Sequence, residues 1–210
     1  MPKPAAEVQI TSLAGLQDIQ AHNVQVDLTN HEGIDAIRVM ELSGEPHAGE
    51  DRLAILPDTH FQNGLIVLDI AGSPIPGAQE AARGFVGVGF RVAADVARFE
   101  CFYIRPTNGR ADDQLRRNHS TRYFSFPDHP WRRLREETPG LYESYSDLVP
   151  SQWTSLRIEV TGDKARLYVG ASDQPVLLVN DLKHGESEGN IALWIGPGTE
   201  GYFANLQVSP

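Results

Sequence analysis

The chain has 210 residues and a formal net charge of −10, from 18 Lys and Arg against 28 Asp and Glu. That length fits one domain of the larger all-β kind, spanning 1–210, with a sizeable core. The negative balance excludes nonspecific nucleic-acid binding, because phosphates are repelled on average. The single cysteine, Cys101, excludes an internal disulfide. The opening MPKPAAEVQITSL lacks the apolar core of a signal peptide, and no run approaches the roughly 20 apolar residues of a membrane helix. The expectation is a soluble, cytoplasmic protein with no membrane or nucleic-acid partner. The oligomeric state is left open.

Strands dominate. Short ones are expected at 8–11, 24–28 and 34–42, with two helical turns at 13–21. A stronger strand covers 65–71, where Ile66, Leu68 and Ile70 alternate with Leu65, Val67 and Asp69. Two more follow at 85–93 and 98–105. In the first, Phe85, Gly87, Gly89 and Arg91 fall on one face and Val86, Val88, Phe90 and Val92 on the other. In the second, Phe99, Cys101, Tyr103 and Arg105 face away from Glu100, Phe102 and Ile104. A sheet face floored by glycine and edged by tyrosine and arginine is open to a flat polar ligand.

An irregular excursion at 106–152 follows, with a short strand at 122–126 and a helical turn at 131–137. Connections of this length are often functional, and this one is expected to fold over the sheet. Four strands then come in quick succession at 155–161, 165–170, 175–181 and 190–195, and a last one at 201–208. Regular short strands separated by Gly, Asn and Asp turns predict a sandwich or barrel.

The closing third carries a Trp-initiated strand (Trp153), then Gly162, Ala165 and Tyr168. It continues with Gly189-x-Ile191-Ala192-Leu193-Trp194 and a final strand containing Tyr202 to Leu206. This rhythm resembles concanavalin A-like lectin/glucanase sandwiches, including laminin G-like modules and the bacterial 3-keto-disaccharide hydrolase family. The central segments FQNGLIVLDI, GFVGVGFRV and FYIRPTNG resemble the same group, so the likeness covers about 61–208. It implies an all-β, two-sheet antiparallel jelly roll with one concave face, roofed by the long Arg-rich loop. It implies less about activity, since the fold hosts lectins, glycosidases, lyases and adhesion modules. The Glu-x-Asp-x-x-Glu signature of the glucanases is absent.

Three constellations carry chemistry. If strand parity holds, Asp69, Arg91, Tyr103 and Arg105 share the concave face, where they hold sugar hydroxyls or a carboxylate, or else form a self-satisfied ion network. Segment 105–135 holds eight arginines against three acids, Asp112, Asp113 and Asp128, interleaved with His119, Tyr123, Phe124, Phe126, His129 and Trp131. Guanidinium forks match carboxylates and aromatics stack on sugars; the alternative is a loop pinned by Glu136, Glu137, Glu143 and Asp147.

The carboxyl candidates for acid–base work are Asp69, Asp112, Asp113 and Glu143, with Glu100 set aside because it faces away from Arg105; Asp69 and Asp112 lead, with His119 as a general base. Arg91, Tyr103, Arg105, Asn108, Arg110, Arg117, Tyr123 and Trp131 are the substrate-binding candidates. The other histidines show no metal-ligand spacing, and no Asp-x-Asp-x-Asp-Gly loop is present, so no cofactor is expected beyond a structural calcium in an oxygen-rich turn such as Asn180-Asp181. The sequence leaves two functions open. One is a carbohydrate-active protein that binds, and as a glycoside hydrolase-like enzyme cleaves, a glycoside. The other is a non-catalytic carbohydrate-binding or interaction module.

Overall fold

The computed structural model describes residues 9–10, 19–42 and 49–209. Their strands are β1 (Gln9–Ile10), β2 (Gln20–His22), β3 (Val24–His31), β4 (Ile34–Glu41), β5 (Leu53–Phe61), β6 (Gly64–Pro74), β7 (Val86–Val92) and β8 (Phe99–Ile104). After helices α1 (Pro106–Gly109) and α2 (Gln114–Arg117) come β9 (Thr121–Phe126), helix α3 (Trp131–Glu137) and β10 (Glu143–Ser144). The remainder are β11 (Thr154–Thr161), β12 (Lys164–Val169), β13 (Leu177–Val179), β14 (Gly189–Ile195) and β15 (Thr199–Ser209).

They form two antiparallel sheets. One runs β13-β12-β11-β6-β15-β4-β3, with β1 also on β15; the other runs β10-β9-β8-β7-β14-β5-β2. Alternation sets which face of each strand turns inward. Leu68 and Ile66 of β6 stand opposite Leu156 and Ile158 of β11, and Ile158 opposite Leu167 of β12. A Cβ on Gly201 of β15 would lie 2.8 Å from Val86 and 2.9 Å from Ile195, so the two sheets approach closely there. Val86, Val88, Phe90, Ile66, Leu68, Ile158, Leu167, Leu193 and Phe203 are all buried, as the alternation predicts. Each such side chain contributes about 1.5–3 kcal/mol on burial.

Several elements depart from the sequence reading. Of the helical turns expected at 13–21, residues 13–18 lie outside the described residues, and Gln20 and Ala21 belong to β2, paired with Ile55 and Ala54 of β5. Strand β5 was not expected: Pro57 sits inside it, and Asp58 and His60 adopt positive φ of 58° and 41°, features that argue against a regular strand. The excursion at 106–152 contains the expected strand and the helix over Trp131–Glu137, but α1, α2 and β10 order it further. Among the described residues, no helix is long and apolar enough to cross a membrane.

Candidate functional site

The outer face of the seven-stranded sheet is set by register. Gly87 pairs with Tyr103 and Trp194, and Tyr103 with Arg122. Gly89 pairs with Cys101 and Ala192, and Cys101 with Phe124. The glycine floor expected from the sequence is therefore present. It makes room for a tight aromatic layer: the Tyr103 ring lies 4.8 Å from Trp194 and 5.8 Å from Phe124. The Cys101 thiol beneath is fully buried, and burial raises its pKa, so it is a packing group.

Segment 105–135 covers this layer. The Trp131 ring has four guanidiniums around it: Arg105 at 5.5 Å, Arg122 at 5.4 Å, Arg132 at 5.5 Å and Arg135 at 5.3 Å. Arg122 also donates through Nη1 to the Trp131 carbonyl at 3.1 Å, and Arg105 through Nη2 to the Tyr103 hydroxyl at 2.9 Å. Glu143 of β10 meets three cation-forming side chains: Arg122, Arg135 (Nη2 at 2.8 Å, Nε at 3.2 Å) and His119 (Nε2 at 3.1 Å). A carboxylate with 5% of its side chain exposed needs such partners. Even so, Arg105 Nε and Arg122 Nε are buried donors without a hydrogen-bond partner among the described residues.

Three shifted groups in this field matter here. Burial lowers His119, and Arg135, Arg122 and Arg105 push it further, to about 4. The ring is thus neutral at pH 7. Glu50, just before β5, moves the other way. Burial raises its carboxyl to about 7 against the pull of Arg122, Arg52, Arg132 and Arg105. Arg52 is held by Glu41 at 2.6 Å. Burial also pulls Arg122 down to about 9, which leaves it charged at neutral pH.

Of the residues expected to form the site, Tyr103, Arg105, His119 and Trp131 do come together. The others do not. Asp69 lies on β6, in the opposite sheet, where Ser155 and Asn205 (2.7 Å) donate to it. Arg91 has φ +54°, and the β7–β14 register shifts between Asn190 and Ala192. This bulge turns its side chain to the inter-sheet side, where it donates to Gln62 O (2.7 Å), Gly162 O (2.7 Å) and Gly185 O (2.5 Å). The shared face expected for Arg91, Arg105, Tyr103 and Asp69 is therefore absent, and so is an ion network among them.

Tyr123 also points inward, donating to Glu100 at 2.7 Å and accepting from Lys183 N at 2.9 Å. Asn108 is buried and ties α1 to the His119 carbonyl at 3.2 Å. Asp112 is exposed before α2. Arg110 forks onto Asp147 at 2.7 and 2.9 Å, and Arg117 donates to Tyr145 at 3.0 Å. The pinning of the loop by Glu137, Glu143 and Asp147, weighed as an alternative, thus accounts for part of its arginine content.

The crevice beside Arg122, Arg135 and Glu143 admits no water-sized sphere. A cleft of about 690 Å³ lies instead along the start of β11 and the end of β12. Glu50 and Arg52 carried no sequence signal: they precede a strand that Pro57 disguises. Among the described residues, no three His, Cys, Asp or Glu side chains are placed to share a metal ion. Asp181 of the calcium-candidate turn is already engaged by Tyr142 and Lys183, each at 2.6 Å.

No protein-family model matches the sequence, and no curated protein matches it significantly. Solved structures share its fold. A galectin-like protein of unknown function from Bacillus subtilis superposes with a TM-score of 0.60 at 10% identity, over 97% of this chain and 98% of that one. The carbohydrate-binding module CBM66 from Bacillus subtilis does so with a TM-score of 0.57 at 15% identity, over 90% and 97%. A candidate glycosyl hydrolase from Parabacteroides distasonis gives 0.51 at 10%, over 90% and 83%. The fold is that of the concanavalin A-like jelly-roll sandwiches. At these identities the likeness extends to architecture alone.

Proposed function

We propose that the protein binds carbohydrate at the outer face of the seven-stranded sheet, with Trp131 as the stacking platform and its arginines as hydroxyl and carboxylate donors. One observation carries this reading: the half-buried Trp131 ring is flanked by four guanidiniums, those of Arg105, Arg122, Arg132 and Arg135. An aromatic ring set among forked donors suits a hydroxyl-rich or carboxylate-bearing ring. The fold likeness to a carbohydrate-binding module is in keeping with it. Excess positive charge favours a sugar that carries a carboxylate over a neutral one.

Titration with oligogalacturonate and with neutral oligosaccharides tests it. Tighter, salt-sensitive binding of the acidic oligomer, lost in Trp131→Ala, is the expected result. Equal affinity for both, insensitive to salt and to Trp131→Ala, would overturn it.

A second reading, glycoside hydrolysis, is favoured by Glu50, whose carboxyl near 7 suits a general acid. Glu143, the other carboxylate beside Arg122, would be its partner. Release of shorter sugars that stops in both Glu50→Gln and Glu143→Gln would support this reading; binding without turnover would leave the binding module.

A further inference from the structure

A second site stands apart from the arginine-flanked face, in the cleft of about 690 Å³ between the loop that follows β10 and the ends of β11 and β12. Its volume falls within the roughly 300–1,000 Å³ typical of small-molecule sites. We propose that this cleft binds a neutral saccharide, held between Tyr145 and Trp153.

Both rings are fixed before any ligand arrives. Trp153 donates through Nε1 to the His31 carbonyl at 3.2 Å. The His31 ring meets the indole edge-on at 5.4 Å and stacks on Tyr202 at 3.9 Å. His31 Nε2 in turn donates to the Ser151 carbonyl at 2.8 Å, locking the loop that leads into Trp153. Also lining the cleft, Tyr145 accepts through its hydroxyl from Arg117 at 3.0 Å, with that guanidinium 5.1 Å from its ring. Tyr145 is thus held in place yet 41% exposed, which suits a ring that stacks on the C–H face of a sugar.

The polar groups of the cleft fit an uncharged, hydroxyl-rich ligand. Arg110 and Asp147 line it as a bidentate pair at 2.7 and 2.9 Å. Their charges cancel, so the lining itself carries no net charge. A paired carboxylate and guanidinium still present an acceptor and donors side by side, the complement of vicinal hydroxyls. Gln152 and Ser172 add an amide and a hydroxyl on the same lining. The asymmetry between the two sites follows from their charge: the face around Trp131 is rich in arginine, and this cleft is balanced.

The proposal does not depend on the reading of the Trp131 face, and the chain's three tryptophans separate the two. In ¹⁵N-labelled protein the indole N–H resonances of Trp131, Trp153 and Trp194 report individually, with Trp153→Phe supplying the assignment. The probes are maltose, cellobiose, lactose, sucrose and mannobiose.

The expected result is a saturable shift of the Trp153 resonance with at least one of them. Affinity should fall by about tenfold or more in Tyr145→Ala and in Asp147→Asn. An unmoved Trp194 resonance shows that both variants are folded. No Trp153 shift with any of the five sugars would overturn the proposal, as would a shift that survives both variants unchanged or sugar binding seen at Trp131 alone.

Discussion

His119 Nε2 lies 3.1 Å from Glu143 Oε1, yet burial and the charges of Arg135, Arg122 and Arg105 hold the ring near 4, and so neutral at pH 7. The unfolded ring takes its proton near about 6.5. Between those values the unfolded chain binds more protons than the folded one, so His119 lowers stability as the pH falls from about 6.5 towards about 4. The melting temperature of the wild type should therefore drop more between pH 7.5 and pH 5 than that of His119→Gln. Equal drops, followed by circular dichroism, would show that His119 is not held down by its surroundings.

Glu50 has the opposite sign. Its folded carboxyl takes a proton near 7, above the unfolded value of 4.5, so its proton stabilises the fold below that value and its ionisation destabilises the fold above. Glu50→Gln should be more stable than wild type at pH 8, on the order of 1–3 kcal/mol, and nearly equal at pH 5. An acidic oligosaccharide should also bind more tightly to the wild type at pH 6 than at pH 8, and Glu50→Gln should remove that difference. Urea melts and calorimetric titration at the two pH values check both outcomes.

Arg91 belongs to the fold and not to the ligand. Its guanidinium donates to three main-chain carbonyls beside the buried Glu100. Arg91→Ala leaves those acceptors and that carboxylate without their cation, and should cost about 3–5 kcal/mol. Sugar affinity at the Trp131 face should be unchanged in the protein that remains folded. A large affinity loss with intact stability would put Arg91 back in the site.

The two floor glycines differ in what they tolerate. A Cβ on Gly87 would collide with Phe102 O and the Tyr103 backbone, while one on Gly89 would lie 3.4 Å from Leu53 Cδ2, an ordinary contact. Gly87→Ala should cost about 1–3 kcal/mol through overpacking. Gly89→Ala should be neutral or stabilising by up to about 1 kcal/mol. Similar losses in both variants would mean that the floor is uniformly tight.

Where the chain alternates without interruption, the sequence was a sufficient guide. The period-two patterns of β6, β7, β11 and β14 predict the buried face, because a half-buried strand has only two ways to turn its side chains. Bulges defeat this logic. The extra residue near Arg91 reverses its side chain without any change in composition, and the kinks at Asp58 and His60 hide β5.

The site suffered for a second reason. Glu50 and Glu143 reach Arg122 from segments far apart in the chain, and spacing along a sequence does not encode such a meeting. Asp69 failed similarly: parity fixes a side of a strand but not the sheet to which the strand belongs. Tyr103, Arg105, His119 and Trp131 were found because they come from one continuous stretch.

Strand β15 runs between β6 and β4 and also pairs with β1. Until residues 199–209 leave the ribosome, β6 and β4 each keep an unpaired edge, and the two halves of that sheet have nothing to join them. The sandwich therefore closes after synthesis has passed its last strand, not progressively from the N-terminus. At about 5–20 residues per second, many seconds elapse with those edges open to another nascent chain. A chain lacking 199–209 leaves the edges of β6 and β4 that β15 covers open to pairing.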